Sequence, residues 1–267
     1  MTWISATLMS SVTALFIFTP GYAVTQGEAL QKPLVLVAGA TGRTGQNIVK
    51  QLLTGNYRVR GLVRDRAKAE EIFGSSIEYA VGDVREPATL PGAMKGAAYV
   101  VCAIGSSRDD PTNSPEQVDY RGVANLVDAA KAAGVRQFVH QSSMGVTWPD
   151  EVRRGSPSHP ARPDVGQWKL KGENHLRASG LAYTIVRPAG LSEAPGGQQG
   201  IKVQQGDKPL EGDPRLRMIP RADVATVLIS ALGNPDAYNK TLEVMGEPAT
   251  KSVDWPNFFK PLLKDKR

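Results

Sequence analysis

Leu34-Val35-Leu36-Val37-Ala38-Gly39-Ala40-Thr41-Gly42-Arg43-Thr44-Gly45 decides how the rest of this chain is read. A short apolar run with β-branched residues ends in glycines at three-residue spacing, and a helical pattern follows from Gln46 to Leu53. Gly39 lets the chain turn sharply out of a strand. Gly42 has no Cβ, so a diphosphate can approach the backbone, and Gly45 lets the helix pack tightly on the sheet. The helix start, with Thr41, Arg43 and Thr44 around it, offers unpaired N–H groups and a positive dipole end to phosphates. A glycine triplet alone also fits any tight strand–helix turn. Here the strand before it, the helix after it and the next strand all match, so the stretch reads as a nucleotide's pyrophosphate grip.

Outward from this turn, strand-like and helix-like segments alternate. Strands are predicted at 57–63, 77–81, 99–104, 137–140, 182–186 and 241–245, and helices at 115–133, 167–178 and 221–232. In the longest helix Val118, Val123, Leu126, Val127 and Ala130 form the stripe expected to be buried. This order implies the α/β class: a doubly wound parallel sheet (Rossmann fold), helices on both faces, joined by right-handed crossovers. Two stretches rich in Pro, Gly and Gln, 153–166 and 195–214, read as loops. Both follow strands on the C-terminal side of the sheet, where ligands bind in such folds. They are expected to form a small loop-rich upper lobe over the substrate.

The 267 residues suit one large domain, assigned to 32–267 and preceded by an apolar segment, 1–31. The formal net charge is +6, but the basic residues are scattered and not interleaved with aromatics. That pattern argues for an anionic ligand and a solvated surface, and against nucleic acid as a partner. Cys102 is the single cysteine, so an internal disulfide framework is excluded. His140, His159 and His175 do not have the spacing of metal ligands.

Met1 to Gly27 carries no charged side chain, and Trp3 to Phe18 is largely apolar. Gly21-Tyr22-Ala23 resembles the small residues before a signal-peptidase cut, yet a basic n-region is missing. Three readings stay open: a secretory signal, a membrane anchor through residues 1–24, and an extension from a mis-assigned start. About 20 residues span a bilayer, and Lys and Arg lie only on the C-terminal side of this stretch. That asymmetry favours an anchored or uncleaved segment with the folded domain in the cytoplasm.

The second strand sets the cofactor. Dinucleotide folds often place an acid there for the ribose hydroxyls of NAD. This chain reads Gly61-Leu62-Val63-Arg64-Asp65-Arg66-Ala67-Lys68, so Arg64 stands in the acid's place with Arg66 and Lys68 close behind. A guanidinium suits a 2′-phosphate, which points to NADP(H). After the third strand, in Gly82-Asp83-Val84, Asp83 can accept from the adenine amino group or cap the next helix. Ala103-Ile104-Gly105 ends the fourth strand with small residues that leave room for the adenosine ribose.

With these stretches, the chain resembles the atypical short-chain dehydrogenase/reductase group, nearest the NmrA-like proteins, the biliverdin-IX-beta (flavin) reductases and related plastid NADP-binding proteins. Val118-Asp119-Tyr120, Phe138-Val139-His140-Gln141-Ser142-Ser143, Lys169 to Glu173, Ser179 to Pro188 and Arg221-Ala222-Asp223-Val224-Ala225 carry the resemblance, alongside the glycine turn and Arg64. It implies NADP binding and a Rossmann fold, in a group that mixes reductases with non-catalytic redox sensors. Reductases of the wider group use a Ser-Tyr-Lys set. Ser142 and Ser143 occupy the serine region and Lys169 matches the lysine, but Val165 stands four residues before it, where the tyrosine belongs. Tyr120 and Tyr183 fall elsewhere in the pattern. Lys169 is expected to hold the nicotinamide ribose, Ser142 or Ser143 to orient nicotinamide or substrate, and the backbone from Pro188 to Leu191 to flank the carboxamide. His140 and Cys102 read as core, His175 as solvated, and Trp168 as packing or a cover for the cofactor.

Two functions follow. The first is an NADPH-dependent reductase of a flavin-, quinone- or tetrapyrrole-like small-molecule acceptor, for which solvent supplies the proton. The second is a non-catalytic NADP(H) redox-sensing or assembly protein acting through a protein partner, with a membrane-tethered assembly factor as its variant.

Overall fold

The computed structural model describes residues 32–107, 110, 112–149, 152, 163–209, 217–247 and 253–266. The readings made for 1–31, 153–162 and 210–214 lie outside these residues. Five central strands carry the molecule: β1 (Leu34–Ala38), β2 (Arg58–Val63), β4 (Tyr99–Cys102), β5 (Gln137–Gln141) and β6 (Tyr183–Pro188). β3 (Glu78–Val81) borders β2, and β10 (Lys240–Glu247) borders β6. All of these pair in parallel, as the alternation of elements predicts. The sheet order is β3-β2-β1-β4-β5-β6-β10-β8, where β8 is Gly200–Gln204. A second, two-stranded sheet pairs β7 (Leu191–Ser192) with β9 (Ile219–Pro220).

Strand periodicity divides the core in two. Val35 and Val37 of β1 face one layer with α1 (Arg43–Thr54), α2 (Arg66–Phe73) and α6 (Arg221–Ser230); Leu36 and Ala38 face the other. That second layer holds α3 (Leu90–Met94), α4 (Val123–Ala132) and α5 (Pro163–Ala178). Because helices cover both faces, β1 is buried along its whole length and reads as an unbroken apolar run.

The structure corrects the sequence reading in three places. The helix predicted over 115–133 opens with a π-helical turn, Glu116–Gly122, before α4 begins. Gly122 lies against Val84 and Gly172 of α5 lies against the Asp119 carbonyl, so the widened turn sits where two helices and a loop meet. The helix predicted from 167 starts at Pro163, since proline is well suited to a first helical turn even within a Pro- and Gly-rich stretch. The segment 195–214, predicted as loop, contains β8, which pairs antiparallel with β10. Ile201 and Val203 pack on the core while Lys202 faces outward, an alternation too short to stand out among glycines and glutamines. The sheet is therefore parallel except for one reversed edge strand.

Candidate dinucleotide cleft and the wall beside it

At the C-terminal ends of β1, β2, β3 and β4 a cleft of ≈ 200 Å³ is lined by Gly39, Thr41, Gly42, Leu62, Val63, Arg64, Gly82, Asp83, Val84, Ala103, Ile104, Gly105, Asn113 and Val118. Chain turns from four strands thus converge on one groove. Gly39 has φ +81, and a Cβ there would lie 2.7 Å from the Ala103 carbonyl oxygen. At Gly45 a Cβ would come within 2.0 Å of the Gly39 carbonyl oxygen. No side chain but hydrogen fits either position, so the first turn of α1 is pulled in under the strand end. Gly42 is the N-cap of α1 and supplies no side-chain cap, and the first turn has no acidic residue. Its donors and positive dipole end are left to an anion.

Arg64 stands on the lip of this cleft and makes no ion pair among the described residues. The carboxylates nearby are occupied. Arg85 donates to both oxygens of Asp83, from Nε at 3.0 Å and Nη2 at 2.6 Å, and its Nη1 reaches the Thr112 carbonyl at 2.9 Å. Hydrogen bonds from Arg85 hold the Asp83 carboxyl below the usual range, and the Arg64 charge adds to the effect. Asp83 accordingly serves as a clamp for Arg85, which ties the 112–113 side of the cleft to the end of β3. A phosphate on the ribose would meet Arg64 as a free guanidinium.

Several residues read from the sequence lie off the cleft lining. Thr44 and Gly45 are buried in the first turn of α1. The Arg43 side chain turns outward to Glu193 at 2.9 Å, and Glu193 also accepts from Arg221 at 2.7 Å. Arg43 lines a separate groove of ≈ 590 Å³ along α1 with Lys50, Leu53, Ile72 and Phe73. Lys68 is exposed and pairs with Asp65 at 3.6 Å, within a helix start that Asp65 itself caps.

Ser142, Ser143, Lys169 and Pro188 belong to the neighbouring strand ends, β5 and β6, and to α5. The Lys169 ammonium lies 2.7 Å from the Asp119 carboxylate, and both side chains are largely buried. Asp119 also accepts from the Ser106 N–H at 3.3 Å, just beyond Gly105 on the cleft floor. The ion pair thus connects the cleft to α5. Ser142 is buried; Ser143 is half-buried and donates to the Met144 carbonyl at 3.3 Å. The Pro188 carbonyl accepts from the Met144 N–H at 3.0 Å, joining the loop after β5 to the end of β6. Val165 is half-buried on α5, one turn before Lys169.

The remaining candidates have other employment. Tyr120 stacks on Trp168 at 5.9 Å, with the Lys171 ammonium 3.9 Å from the indole. The Tyr183 hydroxyl donates to Asp265 at 2.9 Å. Burial, with the Lys169 charge adding to it, pushes His140 down to about 4, so it is neutral at physiological pH. Burial pushes the Cys102 thiol up to about 12, which leaves no thiolate. His175, expected to be solvated, is partly exposed and pairs with Asp128 at 2.7 Å. Sequence reasoning gave no site role to Asp119, Asn113 or Arg85. Asp119 carried a signal all the same, as an acid beside Val118 on the side of a helix predicted to face the core.

The family described as NAD(P)H-binding matches residues 39–235, which contain the whole cleft. An uncharacterized chloroplastic protein of Arabidopsis thaliana is 36% identical, the match covering 86% of this chain and 76% of that protein. Sanguinarine reductase of Eschscholzia californica is 31% identical over 83% of this chain and 92% of its own length. Among solved structures, an oxidoreductase from Lactococcus lactis superposes with a TM-score of 0.69 at 20% identity, covering 86% of this chain and 96% of that one. At that identity the likeness speaks for the fold alone.

Proposed function

The chain belongs to the NAD(P)H-binding family, in keeping with its resemblance to atypical short-chain dehydrogenases/reductases, and from that premise we propose that it is an NADPH-dependent reductase of a flavin-, quinone- or tetrapyrrole-like acceptor. The observation that carries the acceptor class is Val165 in the tyrosine's place, one helical turn before a lysine already paired with Asp119. No side-chain hydroxyl there can deliver a proton to a carbonyl oxygen, so the acceptor must be one whose reduced anion takes its proton from solvent. Sanguinarine reductase, a relative over most of its length, supports the reductase class.

The bound cofactor supplies hydride chemistry. The chain's own residues supply the rest. The turn from Gly39 to Gly45 and the start of α1 bind the diphosphate, and the free Arg64 guanidinium takes the 2′-phosphate. Lys169, held by Asp119, and the Ser142-Ser143 corner orient the nicotinamide end. The test is NADPH oxidation with FMN, menadione and biliverdin as separate probes. Turnover above the cofactor-only background with at least one is expected, and background rates with all three defeat the reading.

The missing tyrosine also favours a second reading, a non-catalytic NADP(H)-sensing or assembly protein acting through a partner. Its mark is a difference in protease sensitivity between the NADP- and NADPH-bound forms with no turnover of any acceptor; identical digestion patterns count against it. For residues 1–24 we propose a targeting or anchoring role, supported by the chloroplastic relative. Among the described residues no helix is long and apolar enough to cross a membrane.

A further inference from the structure

Under the loop that leaves β5 lies a set of buried charges that the reductase reading does not use. Asp207 follows Gly206 in a turn after β8, and both have positive φ, +49 and +94. For a non-glycine residue that backbone is uncommon and calls for a reason. Here the turn drives the Asp207 carboxylate inward, where it accepts from the Gly145 N–H at 2.7 Å and from the Thr147 N–H and hydroxyl, each at 2.8 Å. The Asp207 carbonyl accepts from the Trp148 indole N–H. One residue therefore holds this loop at Gly145, Thr147 and Trp148. Met144, Ala189 and Met245 form a small apolar cluster there with Trp148 packed against it. This cluster stands at the ends of β5 and β6 and beside β10, next to the Ser142-Ser143 corner, and forms a wall there.

Asp207 is held in turn. Its N–H donates to Glu243 at 3.0 Å. Arg187 reaches Glu243 at 3.2 Å and Asp207 at 3.7 Å, while its other nitrogens grip Glu173 at 2.9 and 2.6 Å. Arg177 shares Glu173 and Asp265. Facing Glu243 are thus Arg187 from β6 and Asp207 from the turn, with Glu173 and Arg177 of α5 behind Arg187. On its own strand, Lys240 is committed to the Phe259 carbonyl. Two guanidiniums serve four carboxylates, and Glu173 and Glu243 have no exposed surface at all. A dry pocket cannot hold every one of those carboxylates charged without cost. Arg187 and Arg177 keep Glu173 low despite its burial, whereas burial and the Asp207 charge push Glu243 up to about 7.

We propose that Asp207 and Glu243 are positioning residues for the acceptor side, acting through the 144–148 wall, and that the wall is gripped while Glu243 keeps its proton and released when it loses it. What the wall encloses rests on the reductase reading; the grip itself does not. With Glu243 neutral, Asp207 is the single anion opposite the Nη1 end of Arg187 and stays in place. On ionisation the proton goes to solvent, a second negative charge appears beside Asp207, and the two repel. Asp207 then loosens, and Gly145, Thr147 and Trp148 loosen with it.

The full-length chain tests this through Trp148 fluorescence, taken as the difference between wild type and Trp148→Phe from pH 5.5 to 8.5. A red shift with its midpoint near 7 is expected. Glu243→Gln should abolish the transition, and Asp207→Asn, which removes the neighbouring charge, should move the midpoint to lower pH. A flat wild-type signal overturns the proposal, as does a midpoint unchanged in Glu243→Gln. If Glu243→Gln does not fold, an unchanged midpoint in Asp207→Asn overturns it. In turnover, KM for the acceptor should rise severalfold across the transition while NADPH affinity stays level. Absence of turnover would remove the reductase reading but leave the fluorescence result to decide the grip.

Discussion

At the scale of single residues, the cleft depends on absent side chains and one unpaired charge. Arg64 has no carboxylate partner among the described residues, whereas Asp83 beside it is taken up by Arg85. Arg64→Ala is expected to weaken NADPH binding about ten- to hundredfold, the range of a charge-assisted phosphate contact. NADH binding should change little, and fluorescence titration of both cofactors gives the comparison. Gly45→Ala should cost about 3 kcal/mol, because its Cβ would fall 2.0 Å from a backbone oxygen that no rotamer change can move. Urea unfolding measures that loss. That the glycines, Arg64, Asp83 and Ala103 to Gly105 stand at one cleft was legible, because their places follow from local backbone demands and distance from a strand end; that Asp83 is taken up by Arg85 was not. Asp119 was not, since it matters through Lys169 on another helix, nor was Arg85, which joins Asp83 to Thr112 across the cleft. Lys169 shows the boundary: its place follows from the resemblance to a family, but its pairing with Asp119 follows only from how two helices cross.

At the scale of elements, that crossing is set by small residues. A Cβ on Gly172 would stand 2.6 Å from the Asp119 carbonyl oxygen and 3.3 Å from Val123, so α5 and the π-helical turn touch backbone to backbone. Gly172→Ala must push the two helices apart. A loss of about 2 kcal/mol in urea unfolding is expected, together with weaker NADPH binding, because Lys169 and Asp119 lie on opposite sides of the contact. Equal stability to wild type would show that the helices have room to spare. β1, buried on both faces, was readable as an apolar run, and β2 through β6 were placed within a few residues. β8 was not, because an edge strand needs only Ile201 and Val203 to hold it and its flanks look like turns. The start of α5 was hidden for a related reason: proline marks a helix beginning as readily as a break.

Across the whole molecule, buried acids give stability a pH dependence of two signs. Asp83 and Glu173 are held low by arginines, so they add stability above the unfolded carboxyl range and lose it on acidification. Glu243 works the other way. In the unfolded chain it ionises near 4.5, but in the fold it keeps its proton to about 7. Between those values the folded state binds more protons, so this group's contribution falls as pH rises. At about 1.4 kcal/mol per pH unit the loss approaches 3 kcal/mol by pH 8. Glu243→Gln should therefore gain about that much relative to wild type between pH 5 and pH 8, as read from urea midpoints at the two values. A difference that does not change with pH would place the proton elsewhere. The overall architecture was legible because alternation of element types constrains topology strongly; a buried charge assembled from four separate segments leaves no comparable trace.

The reversed border strand has one more effect. Had β8 run with its neighbours, its far end would have emerged among the ligand loops, and a carboxylate placed there would face water. Running against them, it descends from that side and turns under it, delivering Asp207 to the interior from below. Strand polarity at the rim of the sheet is what converts an ordinary surface turn into an internal hook.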